Sequence, residues 1–464
     1  MEDNFDLVVI GTGPAGEKAA VKAAFFGYKV AIIEKQALYG GAETITGTLP
    51  SKTLKETALF LSGKGEKGLY SVEKKLSQEA SVKDFLYRKN VVMHVFSEQI
   101  HENLERHGVK IFHGKASFLD KNRLKVDDII LKSTYFLIAS GSYPYHPKQV
   151  AFDGETIHDS DTILNLNKIP RSLVIFGAGV IGTEYATIFA TMGTKVTLLH
   201  DKDSLLPFLD EDIIHALQDC LNEANVTVQM SQTIEKVEKH SDQVRTLLKD
   251  GQVLESEMFL YASGRSGNIA DLDLDKIGLA ASSRGNIEVD ASFKTKIDNI
   301  YAAGDVVGFP SLASTSMEQG RVAVSAMFKI NDLSSLPSAF PYGIYTIPEV
   351  SFVGKKESEM SEEFIIGKAF YSSLPRGKIL GLKEGFLKII VDKKTLVITG
   401  CHMIGHNATE LIHFGCLLVL DKKTLWDVVG QVFNFPTLHD LYKYAAYDAL
   451  SQIDQLPKHK KVIR

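Results

Sequence analysis

The run DLVVIGTGPAGEKAAVKAAFFGYKVAIIE, residues 6–34, decides the fold. An apolar strand pattern leads into Gly11, Gly13 and Gly16. A helical pattern then runs to Gly27, and a second apolar run closes at Glu34. Strand, glycine turn and helix in that order predict a βαβ unit. Its glycines let the backbone approach a pyrophosphate at the helix N-terminus, where free N–H groups point. Glu34 stands 23 residues after Gly11, where a carboxylate accepts hydrogen bonds from ribose hydroxyls.

The pattern occurs a second time. SLVIF leads into Gly177, Gly179 and Gly182, then a helix (EYATIFATMG) and another strand, KVTLL. The position equivalent to Glu34 is His200, again 23 residues after the first glycine. A glutamate there would repel a ribose 2′-phosphate, so its replacement lifts a barrier to NADP(H) without supplying an arginine that would demand it. Asp201 can hold a hydroxyl and Lys202 a phosphate, which leans toward a site accepting both nicotinamide nucleotides. A histidine merely solvated at a strand end is the plainer alternative.

Two dinucleotide folds in one chain imply one cofactor held and another exchanged, the layout of a flavoprotein that oxidises NAD(P)H. FLIASGSYP and FLYASGR each contain a glycine turn, at Gly141 and Gly264, where the chain can cross between domains. NIYAAGDV puts Asp305 after a strand and Gly304, as expected of a carboxylate gripping a flavin ribitol. SMEQGRVAVSAMFKI follows as a helix presenting its N-terminus nearby.

Length and composition agree. With 464 residues the chain exceeds one core and predicts two to four domains. A net charge of −5 argues against a nucleic-acid partner. No apolar run is long enough to span a bilayer, and the acidic start enters its first strand almost at once, so membrane insertion and a leader peptide are not expected. Three cysteines (Cys220, Cys401, Cys416) without a CxxC pair point to a reducing, cytoplasmic setting. Cys401, His402, His406, His413 and Cys416 lie close in sequence, but their spacing fits no zinc pattern and no metal is expected. Residues 62 to 108 read as a charged loop and a solvated helix, and the basic tail PKHKKVIR as a solvated end.

The ordered set GTGPAG, GG…PSK, HGKASF, IASGS, GAGVIGTEYA, ASGR, IYAAGD and FPYGIYTIPEVSFVG resembles the pyridine nucleotide–disulfide oxidoreductase family over nearly the whole chain. The resemblance implies an α/β fold of two Rossmann-like domains plus a C-terminal α+β dimerisation domain. The FAD domain is expected at 1–149 and 268–338, the NAD(P) domain at 150–267 and the interface domain at 339–464, in a homodimer. It implies tightly bound FAD, with NAD and NADP as exchanging substrates. Gly40, Gly41, Thr48, Ala116, Gly141, Gly264 and Gly304 join the motif glycines, Glu34 and Asp305 as cofactor-binding positions, with His200 and Lys202 on the nicotinamide nucleotide.

The family's disulfide chemistry needs two cysteines and a C-terminal histidine–glutamate pair. Glu43 and Thr48 stand at the cysteine positions, and in FNFPTLHDLYKYA the other two are Phe435 and Asp440, with His439 displaced. What the resemblance preserves is Lys52 and Glu184, a pair that stabilises negative charge on reduced flavin. Val180 stands where some relatives carry a tyrosine lid. GSYPYHP, GFPSLAS, IYTIPEVS and FNFPT resemble the soluble, FAD-containing pyridine nucleotide transhydrogenase branch, which commonly keeps the first cysteine where this chain has Glu43. The expected reaction is hydride transfer from NADPH to NAD⁺ by a ping-pong cycle. The alternatives are an NAD(P)H dehydrogenase serving a quinone or another non-nucleotide acceptor, and a flavoprotein without turnover.

Overall fold

A computed structural model describes residues 3–63, 80–332, 335–361 and 363–453. The charged stretch after Gly63 and the basic tail lie outside these residues. The chain divides into two compact units, one built from residues 1–54, 81–168 and 261–336 and the other from 55–80, 169–260 and 337–464.

In the first unit, β1 (Asp3–Ile10), α1 (Pro14–Phe25) and β2 (Val30–Glu34) form the expected βαβ unit, with the two strands parallel. Helix α2 (Thr48–Ser62) and the long α3 (Val82–Arg106) follow, then β3 (Lys110–His113), β4 (Ala116–Asp120), β5 (Arg123–Val126), β6 (Ile129–Ile138), β7 (Ser142–Pro144) and the short β8 (Ile157–Asp159). The sheet order is β3-β2-β1-β6-β5-β4. The second half of β1, Leu7–Ile10, reads as an unbroken apolar run because both of its faces are covered. Phe5, Val8 and Ile10 enter one core cluster, while Leu7 and Val9 enter another with Ala19, Ala20 and Ala23 of α1.

Helix α3 corrects the expectation of a solvated helix. Ser81 caps it through a reciprocal capping box with Asp84, and Phe85, Lys89, Ser97 and Leu104 are buried along one face. Two of the four are polar, so the face does not read as apolar. They are accommodated because Lys89 Nζ donates to the Leu164 carbonyl at 2.7 Å and Ser97 Oγ accepts from Tyr39 N at 2.8 Å.

The second unit repeats the theme. β9 (Ser172–Phe176), α4 (Val180–Thr191), β10 (Lys195–Leu199), α5 (Glu211–Glu223) and β11 (Val226–Gln229) bring three parallel strands together in the order β11-β10-β9. An antiparallel sheet of β12 (Ile234–His240), β13 (Gln243–Leu248) and β14 (Val253–Ser256) follows, and then β15 (Met258–Tyr261) beside β9. The chain then returns to the first unit with β16 (Arg265–Gly267), which pairs with β7. There β17 (Ile300–Ala302) lies parallel to β6 and leads into α6 (Ala313–Phe328).

The remainder of the second unit is an antiparallel sheet of β18 (Tyr342–Ile344), β19 (Glu349–Gly354), β20 (Phe364–Phe370), β21 (Phe386–Asp392) and β22 (Ile398–Gly405), ordered β18-β19-β22-β21-β20. Helices Ala408–Leu420 and Asp440–Ser451 pack on it around Leu387, Met403, Leu411 and Tyr442. Among the described residues no helix is long and apolar enough to cross a membrane.

Candidate functional site

The C-terminal ends of β1, β2, β6 and β17 converge on a cavity of about 590 Å³, a volume usual for small-molecule sites. Gly11, Gly13, Glu34, Gly41, Thr48, Ala116, Gly141, Gly304 and Asp305 all line it. Ligands in open parallel sheets bind at these strand ends. Gly16 and Gly40 stand behind the wall, and Gly264 belongs to the turn whose carbonyl accepts from Tyr145 N at 3.1 Å.

Two glycines shape the cradle. Gly13 is the N-cap of α1 with no capping side chain, and a Cβ built on it meets no atom within 4 Å. The space it leaves is cavity, bordered by the first-turn amides of α1, which the helix itself leaves unsatisfied. Gly41, at φ +52°, lies so close to Gly13 that an added Cβ would stand 3.2 Å from the Gly13 Cα. That approach brings the next segment, a π-helical turn over Ala42–Thr46, into the cavity wall.

At one side of the glycine turn, Glu34 is nearly buried and held by three donors. Its Oε2 accepts from Thr12 N at 3.1 Å and Thr12 Oγ1 at 2.5 Å, and its Oε1 from Gln36 N at 2.9 Å. Asp305 lines the same cavity, and its Oδ2 accepts from Ser142 Oγ at 2.9 Å. Ser142 in turn accepts from Arg265 Nε at 2.8 Å, while Arg265 Nη2 donates to the Ser142 carbonyl at 2.9 Å. The same guanidinium meets Asp161 at 3.0 Å, partly offsetting the burial that pushes the Asp161 carboxyl upward. The sequence reading left Ser142, Arg265 and Asp161 without roles. The only available signal was that Ser142 follows a motif glycine and Arg265 ends ASGR.

These features fit FAD. The cradle is open at Gly13, carboxylates stand ready for ribose and ribitol hydroxyls, and the buried Ser140 Oγ in the wall has no hydrogen-bond partner. Ala313 and Ser316, in the first turn of α6, also line the cavity, as expected of a helix presenting its N-terminus there.

At the two positions where the family carries cysteines, Glu43 and Thr48 line the cavity. Burial pushes the Glu43 carboxyl above the ordinary carboxylate range, with Lys18 pulling it down and Glu17 adding to the rise. Phe435 is 75% exposed, and His439 is half-buried against the rings of Phe414 and Phe433.

In the second unit, Gly177 at φ +114° ends β9, and Gly179 caps α4 with open space where a Cβ would stand. Gly182 lies in the first turn of α4. Glu184 is buried, and its Oε1 accepts from Tyr345 N at 2.8 Å. Lys52 lies on α2 in the first unit and donates to Ser51 Oγ at 3.3 Å. His200 is not solvated but 8% exposed, with Nδ1 3.2 Å from Asp201 Oδ1 and outside hydrogen-bonding geometry. Burial lowers its pKa, Asp201 opposes this and Lys202 adds to it, so the imidazole is neutral near pH 7. Positive charge at this corner therefore rests on the exposed Lys202.

The suggested cysteine–histidine cluster does not form a ligand set. Cys401 is buried in the apolar core, and His402 Nε2 bonds the Lys355 carbonyl at 2.8 Å. Asp210, Asp212 and Glu357 do converge, but the buried Lys388 ammonium occupies their centre at 2.9, 2.6 and 2.6 Å.

Comparison with known proteins agrees with this architecture. The family described as "Pyridine nucleotide-disulphide oxidoreductase" matches residues 5–320, and its dimerisation domain matches residues 340–446. The chain is 39% identical over 466 residues to the soluble pyridine nucleotide transhydrogenase of Mycobacterium bovis, covering 98% of this chain and 99% of that protein. It is also 39% identical to that of Azotobacter vinelandii, covering 97% and 99%. Among solved structures, the HOCl-induced flavoprotein disulfide reductase RclA of Escherichia coli superposes with a TM-score of 0.86 at 27% identity, covering 95% and 99%. LpdA of Mycobacterium tuberculosis gives 0.88 at 25% identity, also covering 95% and 99%. The chain belongs to the pyridine nucleotide-disulphide oxidoreductase family.

Proposed function

We propose that this protein is an FAD-dependent oxidoreductase that transfers hydride between NADPH and NAD⁺, a soluble pyridine nucleotide transhydrogenase. The carrying observation is the single cavity that joins an open Gly13, Glu34 and Asp305, with a carboxylate and a hydroxyl in its wall where the disulfide chemistry would need thiols. The named relatives at 39% identity support the same reading.

Bound FAD would supply a centre that accepts hydride from one nicotinamide nucleotide and returns it to another. The first-turn amides of α1 hold the pyrophosphate, Glu34 the adenosine ribose, and Asp305, oriented by Ser142 and Arg265, the ribitol. The turn Gly177–Gly182 binds NADPH and then NAD⁺ in succession, with His200 and Lys202 at the adenosine 2′ position. Lys52 and Glu184 stabilise the negative charge that hydride brings, and accurate placement of the two rings supplies most of the acceleration. We assign the FAD domain to 1–149 and 268–338, the NAD(P) domain to 150–267 and the interface domain to 339–464 of a cytoplasmic homodimer.

The test is anaerobic. NADPH is added to the purified holoprotein, flavin absorbance is followed, and NAD⁺ is then supplied. Bleaching followed by reoxidation with stoichiometric NADH establishes the reaction. Bleaching that NAD⁺ does not reverse, but a quinone does, replaces it with a dehydrogenase serving a non-nucleotide acceptor.

A further inference from the structure

Glu43 is a charged group in the cavity wall that this reaction does not use. It lies on the π-helical turn with Ile45 and Thr46, which Gly41 presses against the glycine loop. Among the described residues its carboxyl takes no hydrogen bond. The cation that lowers it, Lys18 on α1, sits 2.7 Å from the Glu17 carboxylate, and Asn103 Nδ2 donates to the other Glu17 oxygen at 2.5 Å. The other charged groups lining the cavity are Glu34, Lys35, Lys115, Asp161, Asp271 and Asp305. Both lysines lean on Asp271, at 3.3 and 3.6 Å, and Asp161 is met by Arg265. The wall therefore carries more negative than positive charge, and Glu43 is its member without a compensating partner.

We propose that Glu43 is a positioning charge that sets the reduction poise of the bound flavin and keeps hydride uptake reversible. This rests on the function proposed above. When hydride leaves the nicotinamide, its C–H bond breaks, and two electrons and a proton pass to the flavin. The nucleotide gains one positive charge and the cavity one negative charge. A carboxylate in the wall opposes that gain, whereas Lys52 favours it. Exchange between two nucleotides requires a flavin that gives hydride back as readily as it takes it, because donor and acceptor couples are nearly matched. A thiol pair would instead drain the electrons. An ionised side chain at the vacated first cysteine position weakens retention without offering an outlet.

The experiment titrates holoprotein anaerobically with defined NADH/NAD⁺ ratios at pH 8 and pH 5.5, following flavin absorbance in wild type, Glu43→Gln and Glu43→Ala. Both variants should be half-reduced at a roughly tenfold lower NADH/NAD⁺ ratio than wild type at pH 8, the scale of one unit charge acting at about 12 Å with an effective dielectric of about 20. The difference should be smaller at pH 5.5 than at pH 8, because burial raises the wild-type carboxyl and acid neutralises it. Equal ratios at pH 8, or a difference independent of pH, overturns the proposal. Should neither variant retain flavin, the wild type alone decides. Its half-reduction ratio must differ between the two pH values by more than that of free flavin under the same conditions, and a ratio that follows free flavin also overturns it. A wild-type protein that holds no flavin, or is not bleached by NAD(P)H, instead refutes the function on which the inference stands.

Discussion

Replacing Gly13 with alanine separates binding from folding in a way that its motif neighbours Gly11 and Gly16 do not. Gly13 has φ −63° and ψ 178°, a conformation any residue adopts, and the added methyl meets nothing within 4 Å. The apo fold should therefore tolerate it, since the gain of about 0.4–1 kcal/mol from a less flexible unfolded chain offsets the poorer N-cap that alanine makes. The methyl would, however, enter the space beside the first-turn amides of α1, where the FAD pyrophosphate is proposed to lie. Pushing the pyrophosphate off two charge-assisted hydrogen bonds, each worth about 1.5–3 kcal/mol, costs about 3–6 kcal/mol, or over a hundredfold in Kd. Gly16→Ala is the contrasting control, because its Cβ would stand 1.9 Å from the Gly11 carbonyl oxygen and must disturb the fold itself. The assay is FAD titration of deflavinated protein by fluorescence quenching, paired with thermal unfolding of the same apo samples. Glycine-to-alanine at 13 should leave the apo melting curve within a few degrees of wild type and abolish tight FAD binding. Wild-type affinity in that variant would refute the placement of the pyrophosphate, and an apo protein that melts early would refute the packing argument.

Three other outcomes follow from named contacts. Lys388→Met should destabilise the protein by about 3–5 kcal/mol in urea unfolding at pH 7, because it removes the buried cation shared by Asp210, Asp212 and Glu357 and leaves only Lys368 on Asp212. The sign with pH is set by Asp212, whose carboxyl Lys368 and Lys388 hold below its usual range against the rise from burial. In wild type that stabilisation is present above the ordinary carboxylate range and is lost on acidification, so the gap between the proteins should narrow as pH falls through that range. Lys202→Ala should raise KM for NADPH several-fold and leave KM for NADH near wild type, with the effect shrinking in high salt, since neighbouring His200 is neutral; equal changes for both nucleotides would remove Lys202 from 2′-phosphate recognition. Ser142→Ala should weaken FAD about tenfold in the same fluorescence titration, because Asp305 loses its donor and its link to Arg265; unchanged affinity would show that the relay does not orient Asp305.

The βαβ units were legible because their signals are local. Gly11–Gly16 sits between a strand and a helix of clear period, and Glu34 ends the adjacent parallel strand, so spacing alone places it beside the turn. Helix α3 was misread as solvated because two of its four buried residues are Lys89 and Ser97, whose acceptor and donor lie 75 and 58 residues away. The Arg265–Ser142–Asp305 relay was illegible for the same reason. Its members are brought together by the antiparallel pairing of β16 with β7 and by the return of β17 to the central sheet, neither of which leaves a periodic trace. His200 could be placed at a strand end but not judged buried, since the chain returns beside it only at Gln232, whose N donates to its carbonyl at 2.7 Å from 32 residues on.

Loss of the thiol positions does not weaken the assignment of the cavity, because the two rest on different parts of the wall. Pyrophosphate and ribose recognition depends on Gly13, the α1 amides and Glu34, and ribitol recognition on Asp305 with Ser142 and Arg265. Neither set includes residue 43 or residue 48. Substitution at those two positions changes where electrons can go after hydride arrives, while leaving intact the groups proposed to hold the pyrophosphate, ribose and ribitol. A fold with a pre-formed dinucleotide cradle and a second glycine-turn domain can therefore shed its disulfide outlet and still carry out the first half-reaction. With the same nucleotide domain available to the departing and arriving substrates, the simplest remaining outlet is the reverse of that half-reaction on a different nucleotide. An ionisable carboxyl in the wall, rather than an inert replacement, gives that reversal an electrostatic basis that charge-removing variants at residue 43 can test directly.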